Sequence, residues 1–120
     1  MDFEMKVEHL PDAICIVSLA GEVDLYVAPE FKQQLLDVLN QGLSALTVDL
    51  SEVSFINSTT LGVLVGSSMR LRERAGDLGL VCSEPAVIRI FEITGLDRTF
   101  DLHATREDAL AALRVLNQAA

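Results

Sequence analysis

Hydrophobic and polar positions along the chain change period several times, and each change marks an element. From Phe3 to Leu10 apolar Phe3, Met5 and Val7 alternate with Glu4, Lys6 and Glu8, the period of a strand with one buried face. It reads as an edge strand. Pro11-Asp12 is a turn, and Ala13 to Leu19 runs apolar without alternation, as in a strand covered on both faces. Gly21-Glu22-Val23-Asp24 is expected to leave the sheet. Pro29 then suits a first helical position, Phe31, Leu35, Val38 and Leu39 form one apolar stripe, and Gly42 stands where a left-handed C-terminal cap is wanted.

A short strand over Ala45 to Leu50, a connection over Ser51 to Ile56 and a helix from about Ser58 to Ala75 come next, with Gly76-Asp77 as its stop. Leu78 to Cys82 is again a continuous apolar strand. Pro85 opens a short helix with Val87, Ile90 and Phe91 inward and Gly95 as its stop. A last strand over Thr99 to Leu102 precedes a helix introduced by Thr105-Arg106-Glu107-Asp108, with Ala109, Leu110, Leu113 and Leu116 inward. Strands alternating with helices predict an α/β fold: a single domain over residues 1–120 with a mixed, mostly parallel sheet, an N-terminal antiparallel hairpin and about four helices.

Composition narrows the function classes. Half of the 120 residues are hydrophobic, so one core is assured, while Ala13 to Val17 and Leu61 to Val65 fall far short of the ~20 apolar residues that span a bilayer. The N-terminus has no basic-then-apolar leader pattern, and the expectation is a soluble, cytoplasmic protein without membrane insertion. With 18 acidic and 9 basic side chains the net charge is -9, which opposes direct binding to nucleic acid. Arg70, Arg72 and Arg74 are read as a solvated last helical turn. Cys15 and Cys82 lie inside apolar runs and are expected as reduced, buried thiols.

Catalytic chemistry finds no constellation. A Ser-His-acid site needs an imidazole beside the hydroxyl, and His9 and His103 read as exposed loop residues remote from the hydroxyl cluster. Two isolated cysteines and two distant histidines match no metal-ligand spacing. Gly62-x-x-x-Gly66-Ser67-Ser68 lacks the lysine of a phosphate loop. No enzyme activity, cofactor or metal is expected.

What stands out is Asn57-Ser58-Thr59-Thr60, four hydrogen-bonding side chains at one helix start where a single cap suffices. Asn57 or Ser58 can cap, and the surplus hydroxyls are expected to be exposed. Gly62 and Gly66 share a helix face with Ser58 and Met69, and each glycine costs up to ~1 kcal/mol relative to alanine. Close approach is the compensating gain, either to the chain's own sheet or to a partner. Asp24, in a strand-to-helix loop, is a turn former or a functional carboxylate.

Together these segments resemble the STAS domain, in particular bacterial anti-sigma factor antagonists. The family's Asp-Ser-Ser/Thr-Gly-Leu-Gly phosphorylation motif appears as Asn57-Ser58-Thr59-Thr60-Leu61-Gly62. Its Gly-Glu-Leu-Asp signature appears as Gly21-Glu22-Val23-Asp24, and its Pro-Ala-Val-x-Arg-x-Phe...Gly-Leu helix as Pro85 to Phe91 with Gly95-Leu96. The resemblance implies a partner switch in transcription regulation: binding to an anti-sigma factor that is also a serine kinase, ended by phosphorylation of Ser58, with Thr59 the next acceptor and a serine phosphatase as a further partner. It implies a docking surface of Asp24, Asn57, Ser58, Thr59, Thr60, Gly62, Gly66 and Met69. Asn57 and Thr60 depart from the motif's Asp and Gly. The alternative in the same family is a subunit of a lipid-transport or other membrane ATPase complex that is not phosphorylated. A third class, a nucleotide-binding or hydrolytic domain using the helix start as an anion site, lacks a lysine, base or metal.

Overall fold

The computed structural model describes residues 3–119, with side chains through residue 113. Strands β1 (Glu4–Leu10) and β2 (Ile14–Val23) form the antiparallel hairpin, joined by a 3-10 turn over Pro11–Ala13. Helix α1 (Ala28–Leu39), β3 (Ala45–Ile56), α2 (Ser58–Arg72), β4 (Asp77–Val81), α3 (Pro85–Thr94), β5 (Leu102–His103) and α4 (Arg106–Ala119) follow. The sheet order is β1-β2-β3-β4-β5, and every pair after the hairpin is parallel.

Sheet order equal to chain order decides where the helices lie. Successive right-handed crossovers in one direction put α1, α2 and α3 on the same face. There Cys15, Val17, Leu19, Leu46, Val48, Leu50 and Leu80 meet Phe31, Leu35, Leu64, Leu71, Val87 and Phe91 in the main core. Residues of opposite parity, Ile14 and Ala45, pack with Leu113 of α4 on the other face, and Gly79 sits beneath Ala109 and Leu113. Leu116, expected inward on α4, lies outside the described side chains.

Arg106 opens α4 and ties it to three strands. Its Nε donates to Asp49 Oδ2 at 2.5 Å, Nη1 to Glu8 Oε1 at 3.2 Å and Nη2 to Ser18 Oγ at 2.5 Å. Burial pushes the Asp49 carboxyl up, but hydrogen bonds from Ser51 and Arg106 and the guanidinium charge outweigh it and hold the carboxyl below the usual range.

Several boundaries differ from the expected ones. Gly21 to Val23 does not leave the sheet, and Ser51 to Ile56 is not a connection: the two segments pair as a parallel extension of β2 and β3. Register shifts between Ser18 and Ala20 and between Gly21 and Glu22, with Gly21 at φ 95°, accommodate it. Polar Glu22, Ser51, Glu52 and Ser54 hide this strand from a hydrophobic reading because their side chains face solvent at the margin of the fold, while Val23, Val53 and Ile56 are buried.

Helix α2 stops at Arg72, before Ala75, which takes the left-handed conformation (φ 60°) expected of a glycine there. Gly76 is needed for a different reason, since a Cβ would collide with the Ser44 carbonyl oxygen. Gly42 has φ 80° but lies beyond Asn40, the actual cap of α1. On β1, Met5 is half-buried and Val7 is 38% exposed, because the helices do not fully cover the edge strand. The last strand is only Leu102–His103, preceded by buried Phe100, which stacks edge-on to Phe91. Both cysteines are free and buried, as the apolar runs around them lead one to expect.

Candidate functional site

The extension of β2 and β3 carries the site. Val23 and Ile56 are paired, and the Asn57 amide donates to the Val23 carbonyl at 3.2 Å, so the chain segments that begin at Asp24 and Asn57 leave adjacent strand ends. Beyond Asp49, the last residue paired with β4, β3 continues to Ile56 and takes this junction away from β4 and β5.

Asn57 is the cap. With extended backbone (φ -95°, ψ 171°), its side-chain oxygen accepts from the Thr60 amide at 2.9 Å, and its carbonyl accepts from the Leu61 amide at 3.2 Å. Ser58 is thereby released from capping. It is exposed at the first helical position and makes no side-chain hydrogen bond among the described residues. Thr59 is exposed beside it. No acidic residue stands in the first turn, where unpaired N–H groups and the helix dipole favour an anion.

Thr60 requires a correction. It is 0% exposed, and its Oγ1 is buried without a hydrogen-bond partner, so it cannot form part of the outer surface. The third residue of this helix turns into the fold, and its hydroxyl has no hydrogen-bond partner there. Of the surplus hydroxyls, those of Ser58 and Thr59 are on exposed residues, and the expectation of Thr60 as a docking residue fails.

Gly62, Gly66 and Met69 are exposed along α2, Met69 to 59%. A Cβ built on either glycine would meet nothing within 4 Å. Close approach to the chain's own sheet therefore does not account for them. The inward face is Leu61, Leu64, Ser67, Ser68 and Leu71, all buried, with Val65 half-buried beside them.

Asp24 shapes the entry to α1, because its Oδ1 accepts from the Tyr26 amide at 2.9 Å and the Val27 amide at 3.3 Å. The turn it forms holds Leu25 and Tyr26 outward, 70% and 90% exposed. Neither residue stands out from the sequence pattern. The signal that could have found them is two large apolar side chains between a strand end and Pro29, outside the stripe that α1 buries.

The arginines are less uniform than expected. Arg72 donates to the Thr99 carbonyl at 3.1 Å and pairs with Asp77 at 3.5 Å, and Arg74 donates to the Leu39 carbonyl at 3.0 Å. Both secure element ends instead of being merely solvated. Neither histidine is a loop residue: His9 lies on β1, paired with Cys15 near the start of β2, and His103 lies on β5. The structure brings neither to Ser58. Among the described residues no group of three or more acidic, His or Cys side chains is arranged to hold a metal, and no helix is long and apolar enough to cross a membrane.

Residues 4–109 match the family model described as STAS domain. An anti-sigma-B factor antagonist of Listeria monocytogenes serovar 1/2a (strain ATCC BAA-679 / EGD-e) is 40% identical over 103 residues, covering 85% of this chain and 90% of that protein. One from Bacillus subtilis (strain 168) is 38% identical over 91 residues, covering 76% and 83%. The crystal structure of an anti-sigma factor antagonist from Mycobacterium paratuberculosis aligns with a TM-score of 0.86 at 37% identity, over 94% of this chain and 95% of that one.

Proposed function

This chain belongs to the STAS domain family, and from that premise we propose that it is an anti-sigma factor antagonist: it binds an anti-sigma serine kinase and is released when the kinase phosphorylates Ser58. The observation that carries the reading is the division of labour at the start of α2. Asn57 supplies the cap, which leaves the Ser58 hydroxyl exposed and without a hydrogen bond.

That division supports a switch without refolding. A phosphate on Ser58 adds about -1.5 to -2 charges where backbone N–H groups and the helix dipole favour an anion, and the hydrogen bond that the Thr60 amide donates to Asn57 does not involve Ser58. The domain stays folded. A partner surface shaped for a neutral hydroxyl instead has to desolvate a dianion beside the Asp24 strand end. This opposes binding by several kcal/mol, and each ~1.4 kcal/mol is tenfold in affinity.

The open positions beside Ser58 support α2 as the docking face. Gly62 and Gly66 carry their helix-propensity cost with no contact inside the chain, which fits a backbone arriving from outside. Exposed Tyr26 and Leu25 are suited to anchor the contact, since tyrosine buries much area for few rotatable bonds. Thr60 has no direct part in it.

The test is phosphate mapping. The purified chain is incubated with its kinase and ATP, and the modified residue is located by mass spectrometry on wild-type protein, Ser58→Ala and Thr59→Ala. Phosphate on Ser58, absent from Ser58→Ala, is the expected result, with Ser58→Glu failing to bind the kinase. An unmodified protein whose Ser58→Ala variant binds a transport ATPase subunit as well as wild type would sink the switch.

A further inference from the structure

Between α1 and α2 lies an open groove of about 490 Å³. Gly62, Gly66, Leu36 and Val63 line it, and its two charged residues are Lys32 of α1 and Arg70 of α2. No acidic side chain lines it, in a chain of net charge -9. Arg72 and Arg74 are engaged elsewhere, whereas Lys32 and Arg70 are exposed and form no ion pair among the described residues. Concave walls of one charge sign focus the local potential, and the only charges lining this groove are the two cations.

The geometry points to the α1–α2 groove as the seat of an extended, carboxylate-bearing segment of the protein partner. The inference rests on α2 being the docking face and extends that face onto α1. Along α2 the groove runs from Thr59 to Arg70, about 16 Å at 1.5 Å per residue, which takes roughly five residues of extended chain. The two glycines let a peptide backbone lie close. Leu36 and Val63 offer apolar contact between the charges, and the long stems of Lys32 and Arg70 can follow the segment while their heads remain hydrated.

The probe is hexaglutamate peptide, titrated into the ¹⁵N-labelled full chain and followed by NMR, with hexaglutamine and inorganic phosphate as parallel arms. Hexaglutamate should produce saturable shifts at Lys32, Gly62, Gly66 and Arg70 that disappear at high salt, where the Debye length is about 3 Å. Lys32→Ala/Arg70→Ala should melt like wild type and bind roughly tenfold more weakly, as expected for two exposed ion pairs lost together. No shifts in the groove, an equal response to hexaglutamine, or equal perturbation of the same residues by phosphate would each overturn the inference, the last by marking a small-anion site. Phosphate mapping at Ser58 is independent of this titration. Intact Ser58 phosphorylation with a silent groove removes only the groove proposal, and peptide binding without Ser58 phosphorylation removes only the switch.

Discussion

Replacing Gly62 and Gly66 with alanine should stabilise the fold and weaken its hold on the partner. Both glycines lie inside α2, where glycine is about 0.8–1 kcal/mol less favourable than alanine because it loses more backbone freedom on folding. In a packed site a new methyl group would offset that gain. Here it meets nothing within 4 Å at either position, so the gain should be realised in full, about 1 kcal/mol for each substitution and about 2 kcal/mol for the pair. For a domain of this size that raises Tm by roughly 6–10 °C. The assay is thermal or urea denaturation of the two single variants and the double variant, beside titration against the anti-sigma partner. Binding should move in the opposite direction. On the proposed docking face two methyl groups should hold a partner backbone away, and Gly66→Leu should abolish the complex while melting no lower than wild type. The refuting result is a double variant that is less stable than wild type, or one that is more stable and binds unchanged. The first would mean the glycines are packed inside the chain, the second that nothing approaches them.

Four further outcomes follow from the same geometry. Asn57→Ala should cost about 1 kcal/mol in denaturation through loss of the cap, whereas Asn57→Asp should keep it and add up to ~1 kcal/mol from charge at the helix start. Thr60→Val removes a buried hydroxyl with no partner and should stabilise by about 1 kcal/mol with no change in partner affinity; destabilisation would show that the hydroxyl is satisfied. Tyr26→Ala should leave the melt unchanged, since the side chain is 90% exposed, and weaken the complex tenfold or more by surface plasmon resonance. Asp49→Ala should cost about 2 kcal/mol, less than a fully buried pair because Arg106 is 39% exposed. The Asp49 carboxyl is held below its unfolded value, so its contribution is complete above about pH 4 and is lost as pH falls through the folded value. Acid melts of Asp49→Asn should therefore depend less on pH below 4 than those of wild type.

Much of the architecture is legible in local patterns. The apolar stripe of α1, Pro29 and Pro85 at helix starts and the Gly95 cap each follow from short-range chemistry that tertiary packing leaves intact. Where pattern and structure part, a polar outer face is the cause: Gly21 to Val23 and Ser51 to Ile56 look like loops because only one side of that extension touches the core. The surplus of hydroxyls after Phe55 marks the candidate site in the sequence. Tyr26 and Leu25 leave no such mark, because an exposed apolar residue has no periodicity to betray it.

By itself, the sequence determined that this chain alternates strands and helices, that a helix begins at about Ser58 after a side-chain cap, and that its cysteines and histidines follow no metal-ligand spacing. These are properties of spacing and residue type. Only the tertiary structure decided what each polar residue faces. It turned Thr60 inward and left Ser58 outward within the first turn after the same cap, because 100° per residue sends neighbours to different sides and only the position of the sheet says which side is buried. It also separated Arg70 from Arg72 and Arg74, which look equivalent in sequence, by giving the latter two carbonyl partners from distant elements and leaving Arg70 over the groove.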